Sequence, residues 1–354
     1  MLPLIWWLLG SVAPGLLNAT PNDPTALVLI KLPATLADLG IAAIVGWALR
    51  DRPSWAVVAV LGVLLHPAIA YVSGLWAQFE SVYVLPMLIA WLLAARGRPG
   101  WAAVAVAVSL MTKPQALPLI VPFAAWFLAT GGWRGAVRAA AIGLATIAVL
   151  WVPFVAASGP TKYLGNLADY SSLFAVLSLR AWNPWWILQS LAGGGDFVAD
   201  STAIIGPVTF RWLGIAIAGT LELLVFLWVW RRPDARTLAW GLAAAGLVAF
   251  VGLTEMHERY AYPALIFLLV LFPDRRAVAL WVTLGIVYTL NLVAAVPPTP
   301  AIGAVIPVDG WLGIAGSVVM TAVMIGTLIG LRTSPSSPLA RSSPSVPEPG
   351  SDRA

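Results

Sequence analysis

The chain repeats one pattern. A long apolar run is followed by a short break rich in Gly, Pro, Arg or Asp. The runs fall at 25–49, 54–72, 76–95, 100–112, 115–129, 139–157, 204–230, 237–253, 260–272, 277–296 and 310–331. A helix needs about 20 mainly apolar residues to cross the hydrocarbon core of a bilayer. The pattern therefore predicts an all-α fold, a polytopic membrane helical bundle of about 11 spans. The runs at 100–112, 115–129 and 260–272 are short for a full crossing. Broken or half-inserted helices of that kind are tolerated where they line a cavity.

Composition strengthens this reading. Of 354 residues, 60% are hydrophobic and 10% charged, and the mean hydropathy is +0.89. Soluble domains carry about 25% charged residues, so this chain has too few to cover a water-soluble surface. The net charge of +5 is no nucleic-acid footprint, because the basic residues lie in short clusters between apolar runs. These clusters are Arg50/Arg52, Arg96/Arg98, Arg134/Arg138, Arg231/Arg232/Arg236, Arg275/Arg276 and Arg332. With two spans rather than one between residues 100 and 129, every cluster falls on one side, which the positive-inside rule makes cytoplasmic. The tail from Arg332 to Ala354, rich in Ser and Pro without an apolar face, is expected to be a disordered cytoplasmic segment. The absence of Cys excludes disulfides and thiolate chemistry, and two separated His exclude a multi-His metal site.

This orientation sends most chemically capable side chains outward. The outward segments are NATPNDP, HPAIAYVSGLWAQFES, MTKPQ, the stretch 158–203, TEMHERY and PPTPAIGAVIPVDG. They hold His66, Gln78, Glu80, Lys113, Gln115, Arg180, Asn183, His257, Glu258 and Arg259. Each has an ordinary reading. WAQFES can be an interfacial Trp with solvated neighbours, and Lys113 can snorkel to the interface. Glu255, Glu258 and Arg259 can satisfy one another as a local ion cluster. The Trp residues of RAWNPWW can form an aromatic belt as readily as stack on sugar rings. Against these, Pro114 presents Lys113 at a helix break between two short runs. Ionisable groups near membrane depth are functional candidates by default. Lys113, His257 and Arg259 together suit an anion, and at a membrane boundary the natural anion is a lipid phosphate. Asp169, Asp196 and Asp200 have the chemistry to hold a divalent cation, although their spacing requires none.

Five segments, in order, carry a family resemblance. KLPATLADLG resembles a K-x-P-x-x-x-A-D-L span opening, and WAQFES a W-G-Q-x-D-S-like segment. SLMTKPQALPLIVPF resembles an apolar segment carrying T-K-P-Q-A, RAWNPWW an aromatic-Asn-x-Trp segment, and TEMHERYAYP carries H-E-R-Y. Together they resemble integral-membrane glycosyltransferases of the GT-C superfamily over about residues 25–331. They are similar in particular to bacterial relatives of the mannosyltransferase that adds the second mannose of GPI anchors.

The resemblance implies a GT-C-like domain over 1–331, with 158–203 as an outer amphipathic loop and 332–354 as the tail. It implies transfer of a hexose, mannose foremost, from a polyprenyl-phosphate sugar to a lipid-linked or glycan acceptor, with inversion. Lys113, His257 and Arg259 would contact the lipid phosphate. Gln78, Glu80, Gln115, Asn183 and Glu258 would line the sugar and acceptor site. No certain cofactor follows. The family's base is an acid in a first outer loop, and residues 1–24 resemble only the juxtamembrane remnant of that loop. Asp23 and Glu80 are the weak substitutes. Two rival readings remain: a non-catalytic protein of this fold that binds lipid-linked sugars, and a transporter. Polar groups gathered at one face rather than the midplane disfavour the transporter.

Overall fold

The computed structural model describes residues 5, 8–11, 13, 15, 23–192 and 197–334. Much of the expected juxtamembrane segment, Asp196 and most of the Ser/Pro-rich tail lie outside the described residues. The helices are α1 (Pro24–Ala48), α2 (Pro53–Leu64), α3 (Glu80–Ala95), α4 (Pro99–Thr112), α5 (Ile120–Trp151), α6 (Gly159–Leu173) and α7 (Pro184–Ala192). They continue as α8 (Phe210–Arg231), α9 (Ala235–Gly252), α10 (Tyr262–Leu269), α11 (Arg275–Ala295), α12 (Pro300–Val305) and α13 (Gly310–Thr333). Strand content among the described residues is four fragments: β1 (Ser178–Leu179), β2 (Ala203–Ile205), β3 (Val208–Thr209) and β4 (Met256–His257). The chain is an all-α, multi-pass membrane bundle.

Seven described helices are long and apolar enough to cross a bilayer. Eleven runs were expected, and the difference has two sources. Helices α3, α4 and α10 are too short to count, and the runs at 115–129 and 139–157 share α5. That helix is broken at Gly132, whose φ of 61° and ψ of −169° leave the helical region. Gly tolerates the left-handed side of the map without a Cβ clash.

Sequence sets the helix starts. Asp23 caps α1 by accepting from Thr25 N (2.8 Å) and Ala26 N (3.2 Å). Asp234 caps α9 and Asp274 caps α11 in the same way, satisfying amides that have no helical acceptor. Helix α9 is the axis of the bundle, with 89% of its apolar window buried inside the protein. Only 22% of the α8 window is buried, and Trp212, Ile215, Ile217 and Leu223 lie exposed along it. Apolar side chains left uncovered on helices of this composition face lipid rather than water.

The arginines of the inter-span breaks meet at one end. The Arg50 and Arg96 guanidinium groups both stack on Trp47, at 4.1 and 3.9 Å from its ring centre. Arg236 pairs with Asp274, and Arg276 donates to Thr333 Oγ1 at 2.6 Å. The opposite end holds the unwound segments between α2 and α3, α4 and α5, and α9 and α10, together with the excursion from α6 to β3.

Candidate active site

Three breaks in the helices build one polar cluster. The first follows α2. His66 accepts from Ala68 N at 3.1 Å to start a short turn, which passes into a π-helix at Ala70–Leu75. The π-turn closes with Trp76 N donating to Tyr71 O and Gln78 N to Val72 O, both at 2.9 Å. Ala77 sits at φ 56° between them. Wide, under-wound turns of this type recur at functional sites. This one brings the Trp76 ring under Arg259, 5.0 Å from the guanidinium carbon, and starts α3 at a wholly buried Glu80.

The second break is Lys113. It ends α4 in an extended conformation, and Pro114 prevents the helix from continuing. Its ammonium pairs with Glu80 Oε1 and lies near the rings of Tyr260 (5.4 Å) and Tyr83 (5.8 Å). The third break is the turn from α9 to α10. β4 pairs in parallel with β1, Leu179 opposite His257, and the turn Glu258–Ala261 leads into α10. Arg259 Nε lies 3.4 Å from Glu80 Oε1, and its Nη1 donates to Glu258 Oε1 at 2.9 Å. Tyr288 Oη, from α11, donates to the Arg259 carbonyl at 2.9 Å.

The result is an alternating network, Lys113–Glu80–Arg259–Glu258, with His257 Nδ1 3.8 Å from Glu258 Oε2. Burial pushes Lys113 below the usual lysine range, with Glu80 working against the fall. Burial would also raise Glu258. The His257 hydrogen bond and the Arg259 charge together outweigh it and hold that carboxyl below its ordinary value. Three buried polar atoms of the cluster have no hydrogen-bond partner among the described residues: Glu80 Oε2, Gln115 Oε1 and Arg259 Nε. Such atoms are costly unless something else satisfies them.

The sequence-predicted residues divide cleanly. Glu80, Lys113, Gln115, His257, Glu258 and Arg259 meet, with Gln115 Nε2 donating to Tyr260 Oη at 2.9 Å. Gln78 lies on the same loop as Trp76. Asn183 lies elsewhere: its Nδ2 donates to Phe250 O (2.9 Å) and its Oδ1 accepts from Trp186 N (3.0 Å), so it caps α7 and ties it to α9. The three Trp of RAWNPWW do not offer stacking faces. Trp182, Trp185 and Trp186 are buried, and their indole N–H groups donate to Val308 O, Gly252 O and Val308 O. Asp23 is spent on its helix cap. Asp200 is wholly buried against Arg211 and Thr254, so it faces no open cation position.

Sequence reasoning missed the aromatic lining of Tyr83, Tyr260 and Tyr288. It also missed Asp38 of α1, which accepts from Tyr262 Oη at 3.0 Å. Asp38 borders a cleft of about 170 Å³ with Thr35 and Ser73. Its presence inside an apolar run was the available signal.

No curated protein matches the chain in a sequence comparison. A family-wide profile does match, over residues 16–255, and it describes glycosyltransferase family 87. The matched region holds four of the five resembling segments whole and the first two residues of TEMHERYAYP. The chain belongs to glycosyltransferase family 87, a membrane family of the GT-C type.

Proposed function

We propose that the chain transfers a hexose, mannose foremost, from a polyprenyl-phosphate sugar to a lipid-linked or glycan acceptor, with inversion, at the extracytoplasmic face of the cell membrane. One observation carries the reading. Two cations from distant helix breaks, Lys113 and Arg259, converge on one buried carboxylate, and the cluster retains unsatisfied polar atoms. Catalysis needs charge stabilisation where charge develops. As the acceptor hydroxyl oxygen bonds to the anomeric carbon it releases its proton to water at the membrane boundary, the sugar–phosphate bond breaks, and its electron pair stays on the phosphate oxygen. Lys113 and Arg259 receive that charge, with His257 beside them. Burial pulls the Lys113 pKa down and the charge of Glu80 opposes that fall, so the carboxylate holds both cations at the place where the donor phosphate would arrive. Gln78, Gln115 and Glu258 border the sugar and acceptor space. No divalent cation is needed for this account.

A non-catalytic binder of lipid-linked sugar is the second reading. It is favoured by the commitment of both weak base candidates, Glu80 to two cations and Asp23 to a helix cap. Sugar transfer from radiolabelled polyprenyl-phosphate mannose, in membranes carrying the chain, separates the two. The transferase reading expects turnover by the parent chain and a loss of about a hundredfold in Lys113→Ala or Arg259→Ala, the scale of losing an oxyanion donor. Equal turnover by those variants would remove the phosphate site. Donor binding without turnover by the parent would establish the second reading.

A further inference from the structure

A second ion network lies beside the site. Asp200 is held in two-pronged fashion by Arg211, Nε to Oδ2 and Nη2 to Oδ1, both at 2.9 Å. Its Oδ2 also accepts from Thr254 Oγ1 at 2.8 Å. Arg211 Nη2 reaches on to Glu255 Oε1 at 2.6 Å. The backbone repeats the link: Arg211 N donates to Asp200 O, Asp200 N to Ala175 O and Glu255 N to Val176 O. Arg211 opens α8, Thr254 and Glu255 follow α9, and Asp200 belongs to the loop between α7 and β2. One guanidinium therefore ties three elements together immediately before His257.

Backbone strain gathers in the same place. Four described non-glycine residues have positive φ: Ala77, Ser158, Arg180 and Glu255. Three of them border the site. Ala77 adjoins Trp76, Arg180 forms a β-bridge to His257, and Glu255 lies two residues before His257. Strain of this kind persists only where the surroundings over-determine it, and it clusters at functional sites. At Glu255, at φ 62°, the surroundings are Arg211 and the Val176 carbonyl.

We propose that Asp200, Arg211 and Glu255 form a positioning brace that fixes the His257–Arg259 turn against the donor, an inference that rests on the function proposed above. Arg211 acts through Glu255 and touches no substrate. A small shift of a positioned group costs up to about a hundredfold in rate, so the brace sets turnover rather than folding. Arg211 is one-third exposed, which makes it replaceable without opening the core.

The chain's two histidines allow a direct test. His66 is buried edge-on against Trp281 on a different segment and serves as an internal reference. Full-length protein in lipid nanodiscs, labelled on histidine, is compared by NMR for the parent, Arg211→Gln, Glu255→Gln and Arg211→Lys. The brace expects the His257 ring signal to shift and broaden in the two Gln variants while His66 stays in place. Arg211→Lys, which keeps one charged donor, should return most of the parent signal. With polyprenyl-phosphate mannose, kcat/KM should fall at least tenfold in Arg211→Gln and recover in part in Arg211→Lys. An unmoved His257 signal overturns the proposal, and so does equal movement of both histidines, which means general loosening. If the parent neither binds nor turns over the donor, the proposed function falls, and the histidine spectra still decide the brace.

Discussion

At the scale of single residues, Glu80 governs the candidate site. Its side chain is 0% exposed and faces both Lys113 and Arg259. Breaking a buried pair by removing one partner costs about 3–5 kcal/mol, because the other charge stays buried alone. Arg259 keeps Glu258 as a second partner, while Lys113 has no other carboxylate within ion-pair distance among the described residues. Glu80→Ala should therefore destabilise the protein by roughly that amount. Glu80→Leu combined with Lys113→Met should recover most of the loss while remaining inactive. Unfolding in detergent, followed by Trp fluorescence, checks both. A Glu80→Ala variant as stable as the parent would show that Lys113 does not depend on it. The second network shows the same competition for charge. Burial pushes the Glu255 carboxyl up to about 7, with Arg211 pulling against the rise and Asp200 adding to it.

At the scale of elements, the sequence showed the helices and the Pro114 break at Lys113, but not the other departures from helix. Apolar runs gave most boundaries to within a few residues, because burial in lipid is a local rule. Lys113 and the H-E-R-Y segment were legible as candidate site residues because charge beside an apolar run is conspicuous. The π-turn at 70–75, the Gly132 break and the role of Asn183 were not legible. Each depends on contacts far along the chain, such as the Asn183 link to Phe250. Helix α8 offers a test of membrane burial by itself. Glu222 lies within this span, and both of its carboxylate oxygens are buried without a hydrogen-bond partner among the described residues. It borders an apolar cavity of about 410 Å³ with Leu117, Val121, Ile215 and Phe226. An unsatisfied buried polar group costs about 1–3 kcal/mol. Glu222→Leu should raise the thermal midpoint in detergent and leave sugar transfer intact. A lower midpoint would mean that the carboxyl has a stabilising partner in the membrane.

At the scale of the whole molecule, the two ends of the bundle differ in chemistry, and that difference carries an orientation. The arginine-rich end is built from Trp47 stacked by Arg50 and Arg96, and from the Arg236–Asp274 pair. The other end carries the candidate site and α6, and Phe174, the residue after α6, brings its ring 5.5 Å from that of His257. The positive-inside rule expects the arginine-rich end on the cytoplasmic side, and the proposed function accordingly expects α6 and the site on the outer side. The chain has no Cys, which makes it a ready background for single-cysteine mapping. Lys162 of α6 and Arg98 between α3 and α4 are both exposed. Lys162→Cys should react with a membrane-impermeant maleimide on intact cells, while Arg98→Cys should react only after the membrane is opened. The reverse pattern would turn the site toward the cytoplasm. A donor would then have to present its phosphate at the inner leaflet, and the extracytoplasmic assignment of the reaction would fall even if Lys113 and Arg259 still bound that phosphate.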